Sequence, residues 1–234
     1  VASIKSTQKI TRAMQMVAAS KMRRSQEATK ASTPYASAGS ELLMDLATHI
    51  KTQDHPLFAR REIKSRLIVF IASDKGLAGA YNANVSKKYL ELLKRDDERG
   101  IKNLTVTVGR KASQFATRLK DTEVIGSYDD LPDHPAGLAF RTILNTILEQ
   151  FIEEKVDAVT WVYTDFVSSV VQEARWQRLL PAGTTISSSE TDDPEPAKEV
   201  KYEPNAEVVL NEVVRRMIGA RLFQALLDAR ASEH

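Results

Sequence analysis

The sequence predicts an α/β fold in which long N- and C-terminal helices form an antiparallel coiled coil, with an α/β domain inserted between them. Three observations carry that expectation. The first 26 residues contain no Gly, no Pro and no acid, and read as one uninterrupted helix. The middle of the chain alternates short apolar runs with helical stretches, the pattern of a largely parallel sheet. Beyond residue 204, apolar and small residues recur at alternating spacings of three and four, the mark of a coiled-coil seam.

In the N-terminal helix Ile4, Ile10, Met14 and Val17 lie near one face, with Lys9, Arg12 and Arg23 elsewhere around it. Pro34 removes a backbone donor and is expected to kink the helix or start a new segment. The pattern resumes with Leu42, Leu43, Leu46 and Ile50, and Asp54-His55-Pro56 ends it. Residues 2–33 alone would span about 48 Å, longer than a domain of this size needs.

The α/β alternation follows. Arg66 to Ala72 is a continuous apolar run, as in a strand buried on both faces. Tyr81 to Arg95 is an amphipathic helix with Val85, Tyr89, Leu92 and Leu93 inward. Leu104 to Val108 alternates as a strand, Arg110 to Leu119 is a short helix, and Glu123 to Gly126 is a third strand. After a loop at 129–135, Ala136 to Glu154 is a helix with Phe140, Ile143, Leu144, Ile147, Leu148 and Phe151 at helical spacing. Ala158 to Tyr163 is a β-branched and aromatic strand, and Ser168 to Leu180 is an edge strand, read as antiparallel. This order predicts a Rossmann-like sheet.

Residues 181–203 combine Pro, Gly, Ser, Thr and acids with few apolar groups and read as a solvated connection. Pro204 suits a helix start. In the C-terminal helix Leu210, Met217, Gln224 and Ala231 fall seven apart, with Ala206, Val213, Ala220 and Leu227 at the alternate position. The expected organisation is a coiled-coil helix over 1–53, an α/β domain over 54–203 that includes the acidic linker 181–203, and a second coiled-coil helix over 204–234.

Charge is distributed unevenly. Lys5, Lys9, Arg12, Lys21, Arg23 and Arg24 give the first 26 residues six positive charges and no negative one. Residues 187–203 carry six acids against Lys198 and Lys201, although the whole chain has a net charge of only +2. Such asymmetry concerns partners, and a basic helix with an exposed stripe asks for an acidic protein surface. The chain has no Cys, which excludes disulfides and thiol catalysis. No apolar run approaches the roughly 20 residues that span a bilayer. The chain begins with Val, so it reads as a fragment or a processed product. A transit peptide is disfavoured because the helix continues past any usual cleavage point.

Few residues suggest chemistry. Ser73 to Asn84 follows the first strand and opens a helix, where α/β sheets place ligands. It lacks both G-x-x-x-x-G-K-[ST] and G-x-G-x-x-G. Gly76 and Gly79 then read as a tight turn at positive φ, with Asn82 or Asn84 near the helix start, or as a protein-contact loop. His49, His55, His134 and His234 have no metal-ligand spacing. There is no G-x-S-x-G elbow. Asp129/Asp130 and Asp192/Asp193 read as solvated loop acids. Lys21-Met22-Arg23-Arg24 could touch phosphates, but no aromatic interleaves with it and aromatics are only 6% of the chain. Met14, Met16 and Met22 offer an adaptable contact surface, or in the case of Met14 a core seam.

Thr7-Gln-Lys-Ile-Thr-Arg-Ala-Met-Gln-Met-Val-Ala-Ala-Ser-Lys-Met-Arg-Arg24 resembles the amino-terminal helix of the γ subunits of bacterial F-type ATP synthases. Ser73-Asp-Lys-Gly-Leu-Ala-Gly-Ala-Tyr-Asn-Ala-Asn84 is similar to that family's second signature, S-D-[RK]-G-L-C-G-x-x-N, with Ala78 in place of its Cys. Leu179-Leu180-Pro181 and Tyr202-Glu203-Pro204 resemble later segments. The family's C-terminal helix runs several tens of residues past the point matching His234, so the resemblance implies either a fragment or a shortened shaft.

The resemblance implies a rotor that makes no bond and needs no cofactor or metal. Its coiled coil would stand inside a ring of α and β subunits, and its α/β domain would sit on the membrane c-ring with the ε subunit, at the cytoplasmic face of the bacterial plasma membrane. Lys9, Arg12, Lys21, Arg23, Arg24 and Lys75 would meet an acidic loop of the β subunits. Met14 would lie near the rotor–stator contact, and Asp74, Gly76, Leu77 and Gly79 would belong to a partner-binding loop. Exposed ion pairs are worth only about 0–1 kcal/mol each, which suits a surface that must slide. The readings weighed against this are a nucleotide-dependent enzyme using the Ser73–Asn84 loop and a nucleic-acid binder using the basic helix.

Overall fold

The computed structural model describes residues 2–49, 55–120, 122–132, 137–168, 170–182 and 206–233. The first element, α1, is a single helix from Ala2 to His49, 48 residues long and therefore about 72 Å from end to end. Pro34 lies inside it at an exposed position. Of the kink or new segment expected at Pro34, the new segment does not form, because the lost backbone donor falls where water can take its place.

A short 3-10 turn at Pro56–Phe58 leads into the sheet, with the His55 Nδ1 accepting from the Leu57 N–H at 3.2 Å. The strands are β1 (Ser65–Ile71), β2 (Lys102–Val108), β3 (Glu123–Tyr128), β4 (Ala158–Phe166) and β5 (Gln172–Leu180). They stand in the order β3-β2-β1-β4-β5. Pairing is parallel except for β4 with β5, which is antiparallel, so β5 is the expected antiparallel edge. The helices α2 (Tyr81–Asp97), α3 (Arg110–Ala116), α4 (Leu138–Ile152) and α5 (Ala206–Glu233) complete the fold.

Two cores flank the sheet. On one face Ile68, Phe70 and Val162 pack with Val85, Tyr89 and Leu92 of α2 and Ala112 and Ala116 of α3. On the other, Leu67, Val69, Ile71 and Trp161 pack with Ile143, Ile147 and Phe151 of α4 and with Val214, Ile218, Leu222 and Leu226 of α5. β1 is buried along nearly its whole length, as its unbroken apolar run requires.

The heptad of α5 describes only part of that helix. Met217, Leu227 and Ala231 are buried and Gln224 is half-buried, but a second face (Val214, Ile218, Leu222, Ala225, Leu226, Ala229) fills the domain core. α5 is therefore apolar on two sides, one turned to the sheet and one to α1. On α1 the side chains that lose exposure are Ala18, Lys21, Met22, Ser25, Gln26 and Ala28, and Ser25 is buried outright. Their spacing continues the stripe that starts with Ile10, Met14 and Val17. That earlier part of the stripe is uncovered: Ile4 is 74% exposed, Ile10 58%, Met14 51% and Val17 58%. The expected seam lies on the correct face, yet the buried pairing begins only near Ala18, because no described element runs beside the opening turns. Leu42, Leu43 and Leu46 carry side chains outside the described set, Ile50 is itself outside it, and so is the acidic segment from residue 183 to 205.

Candidate functional site

The crevice at the C-terminal edge of β1, where an α/β fold would take a nucleotide, is filled by the protein itself. Ser73 opens the loop. Its Oγ donates to the Lys75 carbonyl at 2.5 Å, its backbone N–H donates to Asn82 Oδ1 at 3.1 Å, and its Oγ accepts from Asn82 Nδ2 at 2.8 Å. Asp74, only 7% exposed, points inward. Its Oδ1 accepts the backbone N–H groups of Arg110 at 3.0 Å and Asp130 at 2.9 Å, tying the loops after β2 and β3 to the loop after β1. Its Oδ2 accepts from Arg230 Nη2 of α5 at 3.0 Å. Arg230 also donates to the Leu131 carbonyl and, through Nη1, to Glu233 Oε2 at 2.9 Å.

Burial opposes the Arg230 charge, but Glu233 and Asp74 outweigh it and hold its pKa above the ordinary value. Burial, reinforced by Glu233, likewise pushes the Tyr81 phenol up. The space enclosed by Ile71, Asp74, Tyr81, Gly109, Leu226 and Arg230 is about 20 Å³, on the scale of one water. A nucleotide has no room there. Gly109 is essential to this closeness: it sits at φ +92°, and a Cβ on it would lie 2.1 Å from the Ala72 carbonyl oxygen.

Beyond Asp74 the loop turns outward. Lys75, Gly76, Leu77 and Gly79 are all exposed, and Leu77 is 93% exposed. Gly79 has the expected positive φ of 52°, but Gly76 does not; Leu77 takes the second left-handed position, at φ 66°. A non-glycine residue there costs roughly 1–2 kcal/mol. A large apolar side chain held strained and in water is the mark of a contact residue.

The other candidate residues stand on α1. Lys9, Arg12, Arg23 and Arg24 are exposed, Lys21 is half-buried beside α5, and Met14 is exposed. Arg23 pairs with Glu27 at 3.0 Å. The two sets are on different elements, α1 and the β1–α2 loop, and α5 joins them: it packs along α1 and is latched to Asp74 through Arg230. Sequence reading missed Arg230 and Glu233, because attention to the heptad passed over the polar residues of the last turn. It missed Asp228 as well. Asp228 is 6% exposed; burial raises its pKa to about 6, despite the Gln224 amide donating to it at 2.8 Å and the charge of Arg175.

The ATP synthase family model matches residues 1–234, the entire chain. An ATP synthase gamma chain of Moorella thermoacetica is 37% identical over 234 residues, covering 100% of this chain and 79% of that protein. One from Xylella fastidiosa strain M12 is 36% identical over 238 residues, covering 100% and 80%. Among solved structures, the central stalk and c-ring of the Tetrahymena thermophila mitochondrial ATP synthase contains a chain that superposes with a TM-score of 0.68 at 25% identity, covering 96% of this chain and 94% of that one. A rotor chain of the Euglena gracilis enzyme shares the fold, with a TM-score of 0.50 at 15% identity and coverage of 91% and 86%.

Proposed function

This chain belongs to the ATP synthase gamma family, and from that premise we propose how its surfaces engage the rest of the machine. It is a non-catalytic rotor subunit of the central stalk, coupling rotation to conformational change during ATP synthesis or hydrolysis. In our reading the basic flank of α1 (Lys9, Arg12, Lys21, Arg23, Arg24) and Lys75 face acidic surfaces of the catalytic β subunits within the α/β ring. Met14 lies at that contact. Leu77, between Gly76 and Ala78 and two residues before Gly79, is a docking knob, and Asp74 anchors the loop that presents it. The α/β domain meets the ε subunit and the membrane c-ring at the cytoplasmic face of a bacterial plasma membrane, and contacts the membrane only through the complex. Among the described residues no helix is long and apolar enough to cross a membrane. The chain divides functionally into a shaft helix over 1–53, a domain over 54–203 and a second shaft helix over 204–234.

The observation that carries this reading is a 48-residue helix whose opening turns are exposed and basic, joined through α5 to a domain whose own ligand crevice is plugged. An asymmetric shaft acts as a ligand: it shifts each catalytic subunit only so far as its contacts differ between that subunit's states. Reciprocity requires that hydrolysis can drive the shaft backwards. Purification of the tagged chain from its host tests the partners. Stoichiometric recovery of α, β and ε subunits supports the proposal; recovery of the chain with none of them overturns it.

A further inference from the structure

A second concentration of charge lies at the end of the sheet opposite Asp74. Arg66, at the start of β1, donates from Nε and Nη2 to the Asp96 carboxylate at 2.5 and 3.2 Å, and from Nη1 to Thr160 Oγ1 at 2.8 Å. Both ends of this ion pair are buried. Thr160 of β4 stands opposite Arg178 of β5 in the antiparallel ladder, so the two side chains share the sheet face that packs on α2. Arg178 is half-buried, and its Nε is buried with no hydrogen-bond partner among the described residues.

Burial lowers the pKa of Arg178, and the charges of Arg66, Arg95 and Arg60 push it further the same way; only Asp96 opposes them. Asp96 is already spent on Arg66. Nearby Lys94 is paired with Glu98. Arg60 and Arg95 are exposed at the rim. Arg178, Arg95 and Arg60 are therefore an excess of guanidinium charge around one buried carboxylate that serves the fourth arginine.

A guanidinium buried with an open donor calls for an oxyanion, and a group of guanidiniums with no carboxylate of their own among the described residues suits one with several acceptor oxygens. We propose that Arg60, Arg95 and Arg178 form a binding site for a phosphate group, either free in solution or carried by a lipid headgroup. Arg66, locked to Asp96 and Thr160, is the fixed wall behind it. The site is on the opposite edge of the domain from the signature loop and does not depend on the contacts proposed for that loop.

The test uses the full chain and two variants, Arg178→Gln and the surface variant Arg95→Gln. Inorganic phosphate is titrated calorimetrically against a chloride reference at matched ionic strength, which removes general screening. Vesicles of phosphatidylglycerol are floated with the protein beside vesicles of phosphatidylcholine. Saturable phosphate binding is expected, weakened at least tenfold in Arg178→Gln and severalfold in Arg95→Gln. Flotation with phosphatidylglycerol that phosphate competes away assigns the site to a headgroup; phosphate binding without flotation assigns it to the free ion. Binding no stronger than chloride in the parent chain overturns the proposal, as does equal binding in parent and Arg95→Gln, a substitution at an exposed position that leaves the fold intact.

Discussion

The Arg230–Asp74 contact is the joint that fixes α5 to the loop after β1, and its disruption has calculable consequences. The two side chains are 16% and 7% exposed, so solvent screens the pair little. Arg230→Met leaves the Asp74 Oδ2 and the Glu233 carboxylate without their cation. Removal of one partner from a buried pair costs about 3–5 kcal/mol. Asp74→Asn is milder: the amide oxygen still accepts from the Arg110 and Asp130 N–H groups, and Arg230 keeps Glu233, so the loss is one charged hydrogen bond, about 1.5–3 kcal/mol. Asp74→Ala also orphans those two backbone donors and should fall at or above the Arg230→Met figure. Urea unfolding of the full chain measures each. In the double variant Asp74→Asn/Arg230→Met the effects should fail to add by about 1–2 kcal/mol, since both remove one interaction. Additivity within about 0.5 kcal/mol would refute the latch.

Other substitutions separate stability from function. Asp228 has a folded-state pKa raised from 3.8 to about 6, so the native state holds its proton more tightly than the unfolded chain. Its burden is absent below pH 3.8, grows as pH rises to about 6 and is constant above, reaching about 3 kcal/mol. Asp228→Asn should therefore remove a downward stability slope over that window, measured as the parent-minus-variant difference in urea midpoint at several pH values. Leu77→Gly should raise the thermal midpoint by relieving about 1 kcal/mol of left-handed strain, while weakening recovery of partner subunits in a pull-down. Met14→Lys should leave chain stability within about 0.5 kcal/mol, as an exposed change does, yet lower ATP-driven proton pumping per ATP; equal pumping in variant and parent would count against a contact role for Met14.

The layered α/β architecture was readable because its signals are local. The continuous run in β1 and the inward spacing of Val85, Tyr89 and Leu92 each name a buried face without reference to the rest of the chain. The path of α5 was less legible. Its heptad was real, but Ile218, Leu222 and Leu226 form a second apolar face whose destination depends on the sheet beneath it, and periodicity cannot assign two faces to two neighbours. That the helix continues through Pro34 without starting a new segment was illegible for a related reason, since the cost of a lost donor depends on exposure that only the fold determines.

The candidate loop was half legible. Its motif marked Ser73 to Asn84 as special, but Asp74 and Leu77 adjoin in sequence nearly and differ wholly in environment, one locked inward by three donors and the other held out in water. Nothing in the linear spacing joins Asp74 to Arg230, 156 residues away. Long-range ion pairs of this kind leave no periodic trace. The basic opening of α1 was plain from composition alone, whereas the exposure of its apolar side among the described residues required the fold.

In the function proposed above, α1, α5 and the α/β domain turn together as one body that the catalytic ring drives. The most direct test of this is a light-scattering probe attached to the domain of this chain within the assembled, surface-anchored complex. On addition of ATP the probe should rotate stepwise in one direction, and slow in proportion as ATP is lowered. A probe that only jitters about a fixed angle, while ATP hydrolysis in the same complexes proceeds undiminished, would mean that this chain does not turn with the motor.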